Sequence, residues 1–266
     1  MPNDIIFLKL GGSLLTDKTG FEALRPEIMA RLAEEIAAAR RANPSLKLVL
    51  GHGSGSFGHV AGAKYGTRSG VYGPEQWFGF AEVADAAARL NRIVVASLLS
   101  AGVPAVGLSS FASARVSNGK IIHLNVETLR SALNAGLVPV VYGDVAFDAI
   151  RGGTIISTEE IMEYFSAELS AAWLLLAGET PGVLDLQGEV IPLITRHTLP
   201  EILPALGASR GTDVTGGMAS KVLAMLDLVE ARPNLSVRIF SGLGPGLLQA
   251  LLMDPSLGSG TLLRYV

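Results

Sequence analysis

The feature that most constrains this chain is an alternation that runs along its length. Short apolar runs give way to stretches with helical periodicity, again and again. Residues 5–10, 46–50, 104–108, 138–141, 172–176 and 237–240 have the length and composition of buried strands. Between the first two lies Pro26–Ala42, where Ile28, Leu32 and Ile36 form one apolar stripe. Arg31, Glu34, Glu35 and Arg41 fall elsewhere on that helix, and Pro26 suits its first turn. Helical patterns recur at Pro74–Ser100, closed by Gly102, and at 126–135, 159–169 and 216–230. Short hairpins are expected at 115–123 and 183–191, around Asn118-Gly119 and Gln187-Gly188. Strands alternating with helices predict an α/β fold with a mainly parallel central sheet and helices on both faces. No internal repeat, low-complexity tract or long linker interrupts it; a change of lobe is expected near 152–154.

With 266 residues, 49% of them apolar, the chain can bury one large core or two lobes that share a sheet. It has no cysteine, which excludes disulfides and Cys-ligated zinc or iron–sulfur sites. The acidic start leads straight into residues 5–10, unlike the basic start and long apolar stretch of a signal peptide, so a cytoplasmic protein is expected. The longest apolar runs, such as 171–177, fall short of the roughly 18 residues of a membrane span. A net charge of −3 offers no basic field for nucleic acid.

Against fifteen arginines the chain has only six lysines: Lys9, Lys18, Lys47, Lys64, Lys120 and Lys221. Three of the six sit in or beside glycine-rich turns. The first turn, Lys9-Leu10-Gly11-Gly12-Ser13, ends the first strand, and Lys18 follows on a short loop. Ligands of open α/β sheets bind beyond the carboxyl ends of strands, and glycines there let backbone N–H groups approach phosphate oxygens. A tight turn with a surface lysine is the plain alternative.

The second turn, Gly51-His52-Gly53-Ser54-Gly55-Ser56-Phe57-Gly58-His59, is the most distinctive segment. It fits G-x-G-x-x-G, but a dinucleotide fingerprint follows the first strand of its unit and needs an acid about 20 residues on. The nearest acids, Glu75 and Glu82, lie in a helical, aromatic stretch, which argues against a nicotinamide site. A second anion cradle fits better, with His59 donating to a phosphate oxygen and His52 holding the loop. The third turn, Gly211 to Gly217, opens a helix that can be capped by Asp213 or Thr215, and Lys221 falls in its first two turns. The helix dipole disfavours a cation there, and a bound anion compensates.

These motifs, in this order, resemble the amino acid kinase superfamily and, within it, the isopentenyl phosphate kinases. The resemblance rests on Lys9-Leu-Gly-Gly-Ser13 with Lys18, Gly53-Ser-Gly-Ser-Phe-Gly-His59, Tyr142-Gly-Asp144 and Asp213-Val-Thr-Gly-Gly-Met-x-x-Lys221. It implies a three-layer αβα sandwich, a homodimer, and a phosphoryl transfer from ATP with magnesium to a small monophosphate. Residues 1–155 would form the acceptor lobe and 156–266 the nucleotide lobe. The catalytic set it implies is Lys9, Lys18, His59, Asp144 and Lys221, with Asp144 organising the lysines. ATP would meet Lys9, Gly11, Gly12, Ser13, Glu179, Asp213, Gly216, Gly217 and Lys221, and would carry the magnesium itself. The acceptor would meet Gly53, Ser54, Gly55, Gly58, His59, Gly143 and Thr158. Its tail would need an apolar slot, for which the segment with Tyr72, Trp77 and Phe80 is the candidate; it holds four of the sixteen aromatics within nine residues. Ordinary core packing is the alternative for each of these rings. No general base is required, because the attacking phosphate is already ionised near pH 7.

Two segments depart from the family pattern. Relatives often carry Ser-Gly-Asp-Asp where this chain has Ser157-Thr158-Glu159-Glu160, and Thr-Asp-x-Asp-Gly-Val where it has Gly178-Glu179-Thr180-Pro181-Gly182-Val183. A kinase for another small phosphate, phosphonate (fosfomycin-like) or carboxylate, and a nucleotide-sensing protein with weak catalysis, are the alternatives these departures leave.

Overall fold

The computed structural model describes residues 5–17, 19–208 and 217–266, with the side chains of 59–61, 207 and 208 outside the description. Its strands are β1 (Ile5–Leu10), β2 (Lys47–His52), β3 (Ala105–Leu108), β4 (Arg115–Ser117), β5 (Lys120–His123), β6 (Val138–Tyr142), β7 (Asp144–Asp148), β8 (Gly152–Ile156), β9 (Trp173–Gly178), β10 (Leu193–Ile194), β11 (Ser236–Ser241) and β12 (Thr261–Arg264). The helices are α1 (Gly12–Leu15), α2 (Pro26–Ala42), α3 (Gly55–Tyr65), α4 (Pro74–Ser100), α5 (Val126–Asn134), α6 (Thr158–Glu168), α7 (Leu199–Ala208), α8 (Gly217–Ala231) and α9 (Leu247–Met253).

Eight strands form the central sheet in the order β10-β12-β11-β9-β1-β2-β6-β3. The run from β11 to β3 is parallel throughout, and β12 joins it antiparallel. Side chains of a strand alternate between faces, and the core divides accordingly. Phe7, Val49, Val141, Leu174, Leu176 and Val237 meet α5, α6 and α8 through Leu129, Ile161, Phe165, Val222 and Met225. Ile6, Leu8, Leu10, Leu48, Leu50, Val140 and Leu175 meet α2, α4 and α9 through Leu32, Ile36, Leu90, Val94 and Leu251. This is the three-layer αβα arrangement. No helix among the described residues is long and apolar enough to cross a membrane.

Because the strands from β11 to β3 are parallel, their carboxyl ends share one edge of the sheet. There Gly11, Gly53, Gly143 and Gly242 each follow a strand directly, and Gly178 is the last residue of β9. The chain order reverses at β1, which has β2 on one side and β9 on the other. Open α/β sheets form their ligand crevice at such a point.

A smaller sheet, β5-β4-β7-β8, lies beside the central one. The expected hairpin at 115–123 is β4 and β5, turning on Asn118 and Gly119 at φ 50° and 77°. The expected hairpin at 183–191 closes with a single bridge, Leu184 to Val190, rather than a ladder. Residues 152–154, where a change of lobe is expected, lie inside β8, hydrogen-bonded to β7. The second glycine turn is also shorter than its sequence suggests, since Gly55 already begins α3.

The first two glycine turns pack backbone against backbone. A Cβ on Gly53 would lie 2.7 Å from the Gly12 nitrogen, and one on Gly12 would overlap the Gly55 nitrogen. Replacing Gly12 with alanine is expected to force the turns apart and lower stability by about 1–3 kcal/mol, read from urea unfolding. An unchanged midpoint would mean that the turns separate freely.

Candidate active site

Lys9 shares the face of Phe7, pointing from β1 toward α6 and α8, and is only 9% exposed. A buried ammonium needs a counter-charge. Its Nζ lies 2.5 Å from Glu159 Oε1. Glu159 is in the first turn of α6, where the helix dipole favours a carboxylate. That turn is a capping box: Ser157 Oγ accepts from the Glu160 N–H at 3.2 Å, and Glu160 Oε2 accepts from the Ser157 N–H at 2.6 Å. Burial pushes the Glu159 carboxyl up, but the Lys9 charge and hydrogen bond, and then the Lys221 charge, bring it below the usual carboxylate range. Lys221 reaches this point from α8, which begins at Gly217 with φ 69°. One carboxylate thus lies in the field of two lysines, one carried by β1 and one by α8.

Asp144 is the residue expected to organise the lysines. Among the described residues its partners are Ser109 Oγ and the Phe111 and Val145 N–H groups, and no lysine is among them. Burial pushes its carboxyl up. It braces the start of β7 against the loop after β3, and the carboxylate that meets Lys9 is Glu159.

The first two glycine turns meet at the same edge of the sheet. Gly11 N–H donates to Ala177 O at 2.8 Å, and Gly53 N–H donates to Leu10 O at 3.0 Å. Gly12 and Ser13 open the short helix α1. Ser54 precedes α3, whose N-terminus Gly55 opens toward this edge, and Gly58 and His59 fall within its first turns. A helix N-terminus of this kind suits an anion. The side chain of His59, together with Lys18, Asp213 and Gly216, lies outside the described residues. On either side of Lys18, Asp17 N–H donates to Ala23 O at 2.8 Å, and Ala23 N–H donates to Ser56 Oγ at 3.1 Å. That loop is therefore tied to the second glycine turn.

Two expected acceptor contacts turn out to engage each other. Thr158 Oγ1 accepts from the Gly143 N–H at 2.8 Å and donates to His52 O at 2.6 Å. Their structural role is to lock α6 to the ends of β2 and β6, with the Gly143 N–H donating to Thr158. Glu179 is exposed and pairs with Arg25 at 2.7 Å. The aromatic segment splits. Phe80 is buried, Trp77 is 37% exposed and Tyr72 is 70% exposed. Phe80 contacts Trp77, Phe111 and Phe147 at centroid distances of 5.3, 5.7 and 5.6 Å, forming an aromatic wall between α4 and the small sheet.

The amino acid kinase family model matches residues 4–241. The chain belongs to the amino acid kinase family. It is similar to the isopentenyl phosphate kinase of Methanothermobacter thermautotrophicus, 34% identical over 259 residues that cover 94% of this chain and 95% of that one. It is also 38% identical over 225 residues to the isopentenyl phosphate kinase of Haloferax volcanii, covering 84% and 88%. A crystal structure of isopentenyl phosphate kinase superposes with a TM-score of 0.82 at 29% identity, covering 98% of this chain and all of that one.

Two features of this amino acid kinase site escaped sequence reasoning. The lysine partner is Glu159, and Arg68 grips its neighbour Glu160. The Ser-x-x-Glu signature at 157–160 was the available signal, because a capping box fixes the first turn in which both acids lie. His52, by contrast, is structural as expected. It is buried, stacked on Tyr142 at 5.6 Å, with Nε2 3.1 Å from Asn91 Nδ2 and Nδ1 3.2 Å from Gly53 O. Burial pushes its pKa down to about 4, with the Lys9 charge acting the same way. Below the unfolded value of about 6.5 the unfolded chain therefore binds a proton that the folded chain refuses, so stability falls with pH. Between pH 7 and 4.5, wild type should lose about 2–3 kcal/mol more than His52→Gln in urea unfolding. Equal losses would show that this ring is protonated in the folded state.

Proposed function

We propose that this kinase transfers the γ-phosphoryl group of ATP to isopentenyl phosphate, giving isopentenyl diphosphate and ADP. The observation that carries this reading is the near full-length similarity to proteins named isopentenyl phosphate kinase. A phosphate oxygen of the acceptor attacks the γ-phosphorus, and the bond to the bridging oxygen of ADP breaks. The acceptor oxygen is already ionised, so the protein's task is to align two anions and neutralise charge that develops between them.

In this reading Lys9 and Lys221 meet the phosphates of ATP, with Glu159 between them keeping both ammonium groups in register. Lys18 follows the group in flight. The second glycine turn, the α3 N-terminus and His59 hold the acceptor phosphate, and the aromatic wall around Phe80 flanks its tail. The first 155 residues serve the acceptor and 156–266 serve the nucleotide. Among the described residues the crevice offers two lysines and one carboxylate already paired with Lys9, a set that does not suit a resident metal. Magnesium therefore enters with ATP. The family resemblance extends to a cytoplasmic homodimer.

An ADP-release assay with magnesium and a panel of phosphate, phosphonate and carboxylate acceptors tests the proposal. Isopentenyl phosphate should be the preferred acceptor; rapid ADP formation with another acceptor and none with this one would overturn it. His59→Ala is expected to lower kcat/KM for the acceptor by about 100-fold or more, with ATP affinity within about twofold of wild type. Equal loss of ATP affinity would move His59 to the nucleotide half.

A further inference from the structure

Arg68 lies far along the chain from the lysines, in the 3-10 turn Thr67–Ser69 that follows α3. Its guanidinium grips Glu160 with both arms, Nη1 to Oε2 at 2.8 Å and Nη2 to Oε1 at 2.7 Å, and Nη1 also donates to Ile155 O. Its own carbonyl accepts from Thr154 Oγ1 at 3.0 Å. The arginine is thereby fixed to the end of β8 and to the first turn of α6 at once. Glu160 is not a passive partner, since its Oε2 also closes the capping box on the Ser157 N–H. One residue before it, Glu159 faces the other way and holds Lys9.

The chain from Gly53 to Arg68 is a single arm. It begins in the second glycine turn, runs the length of α3, and ends on Glu160. The first turn of α6 is therefore gripped twice by the acceptor side: by His52 O through Thr158, just before the arm begins, and by Arg68 at its far end. We propose that Arg68 is a positioning residue for phosphoryl transfer, acting through Glu160 to set the α6 turn that holds Lys9. This deepens the kinase reading above and rests on it. The fork geometry matters, because a lysine at this position supplies a charge but not two parallel hydrogen bonds.

The test compares Arg68→Met, Arg68→Lys, Glu160→Gln and the Arg68→Met/Glu160→Gln double variant with wild type. Glutamine at 160 still accepts from Ser157, so Glu160→Gln removes the ion pair and keeps the cap. Each of Arg68→Met and Glu160→Gln should lower kcat about tenfold, with KM for both substrates within about threefold. The double variant should be no worse than either single one, since both break the same link. Arg68→Lys should recover only part of the loss. A second readout needs no turnover: in the apo protein the Glu159 carboxyl, followed by carbon NMR, should titrate higher in Arg68→Met, because its contact with Lys9 loosens while burial remains.

Variants with wild-type kcat and an unmoved Glu159 titration would overturn the proposal and leave an ordinary surface ion pair. Loss in Glu160→Gln alone would overturn it too, placing the effect in Glu160 without Arg68. If wild type acts on another acceptor and not on isopentenyl phosphate, the substrate reading fails, and the same ratios measured with that acceptor still decide the role of Arg68.

Discussion

The structure depends on one ion pair. Lys9 is carried into the interior because β1 is the central parallel strand and the alternation of its side chains turns the lysine inward beside Phe7. An ammonium in that position is unstable unless a carboxylate meets it, and removing one partner of a buried pair costs several kcal/mol. Glu159 meets it at 2.5 Å. That requirement fixes the first turn of α6, and the turn in turn fixes its neighbours. Thr158 ties the ends of β2 and β6, Ser157 and Glu160 cap the helix, and Arg68 is drawn onto Glu160. The same carboxylate feels the charge of Lys221. A charge that would be a liability in a sheet core is thereby met by a carboxylate that the first turn of α6 positions.

The glycines act on a second level. They were read as openings for phosphate, and they are also what allows two turns to occupy almost the same space. Gly12 and Gly53 meet without side chains between them, and Ser56 N–H donates to Thr16 Oγ1 at 2.9 Å across the seam. The second glycine turn and the end of β1 are thus one rigid unit. For a reaction that needs two anions held in line, rigidity between the cradle and Lys9 is as useful as the N–H groups themselves.

Much of this was legible in the sequence. The αβα architecture follows from strand-length apolar runs such as Ile5–Leu10 set between amphipathic helices such as Pro26–Ala42, and both stand at their expected bounds. Lys9 was legible because lysine is scarce here and this one abuts a glycine turn. The partners of Asp144 were not legible, because proximity to a motif says nothing about which way a side chain points; β7 turns it toward Ser109. Glu159 was visible only as a departure from a family pattern. Its pairing spans 150 positions of chain, and a contact of that range is decided by the parity of β1 and the cap of α6 together. The hydrogen bonds of Thr158, expected from sequence to meet the acceptor, were hidden for the same reason, since both exist only once β2, β6 and α6 have assembled.

The measurement that bears most directly on this account is the kinetics of Glu159→Gln beside Glu159→Asp, with ATP affinity measured separately by calorimetry. If Glu159 holds Lys9 and Lys221 in register for the transition state, Glu159→Gln should lower kcat by about 100-fold or more while ATP binding changes by only a few-fold, and Glu159→Asp should retain part of the rate. A Glu159→Gln enzyme with wild-type kcat would contradict the account, because the lysines would then be aligned without the carboxylate between them.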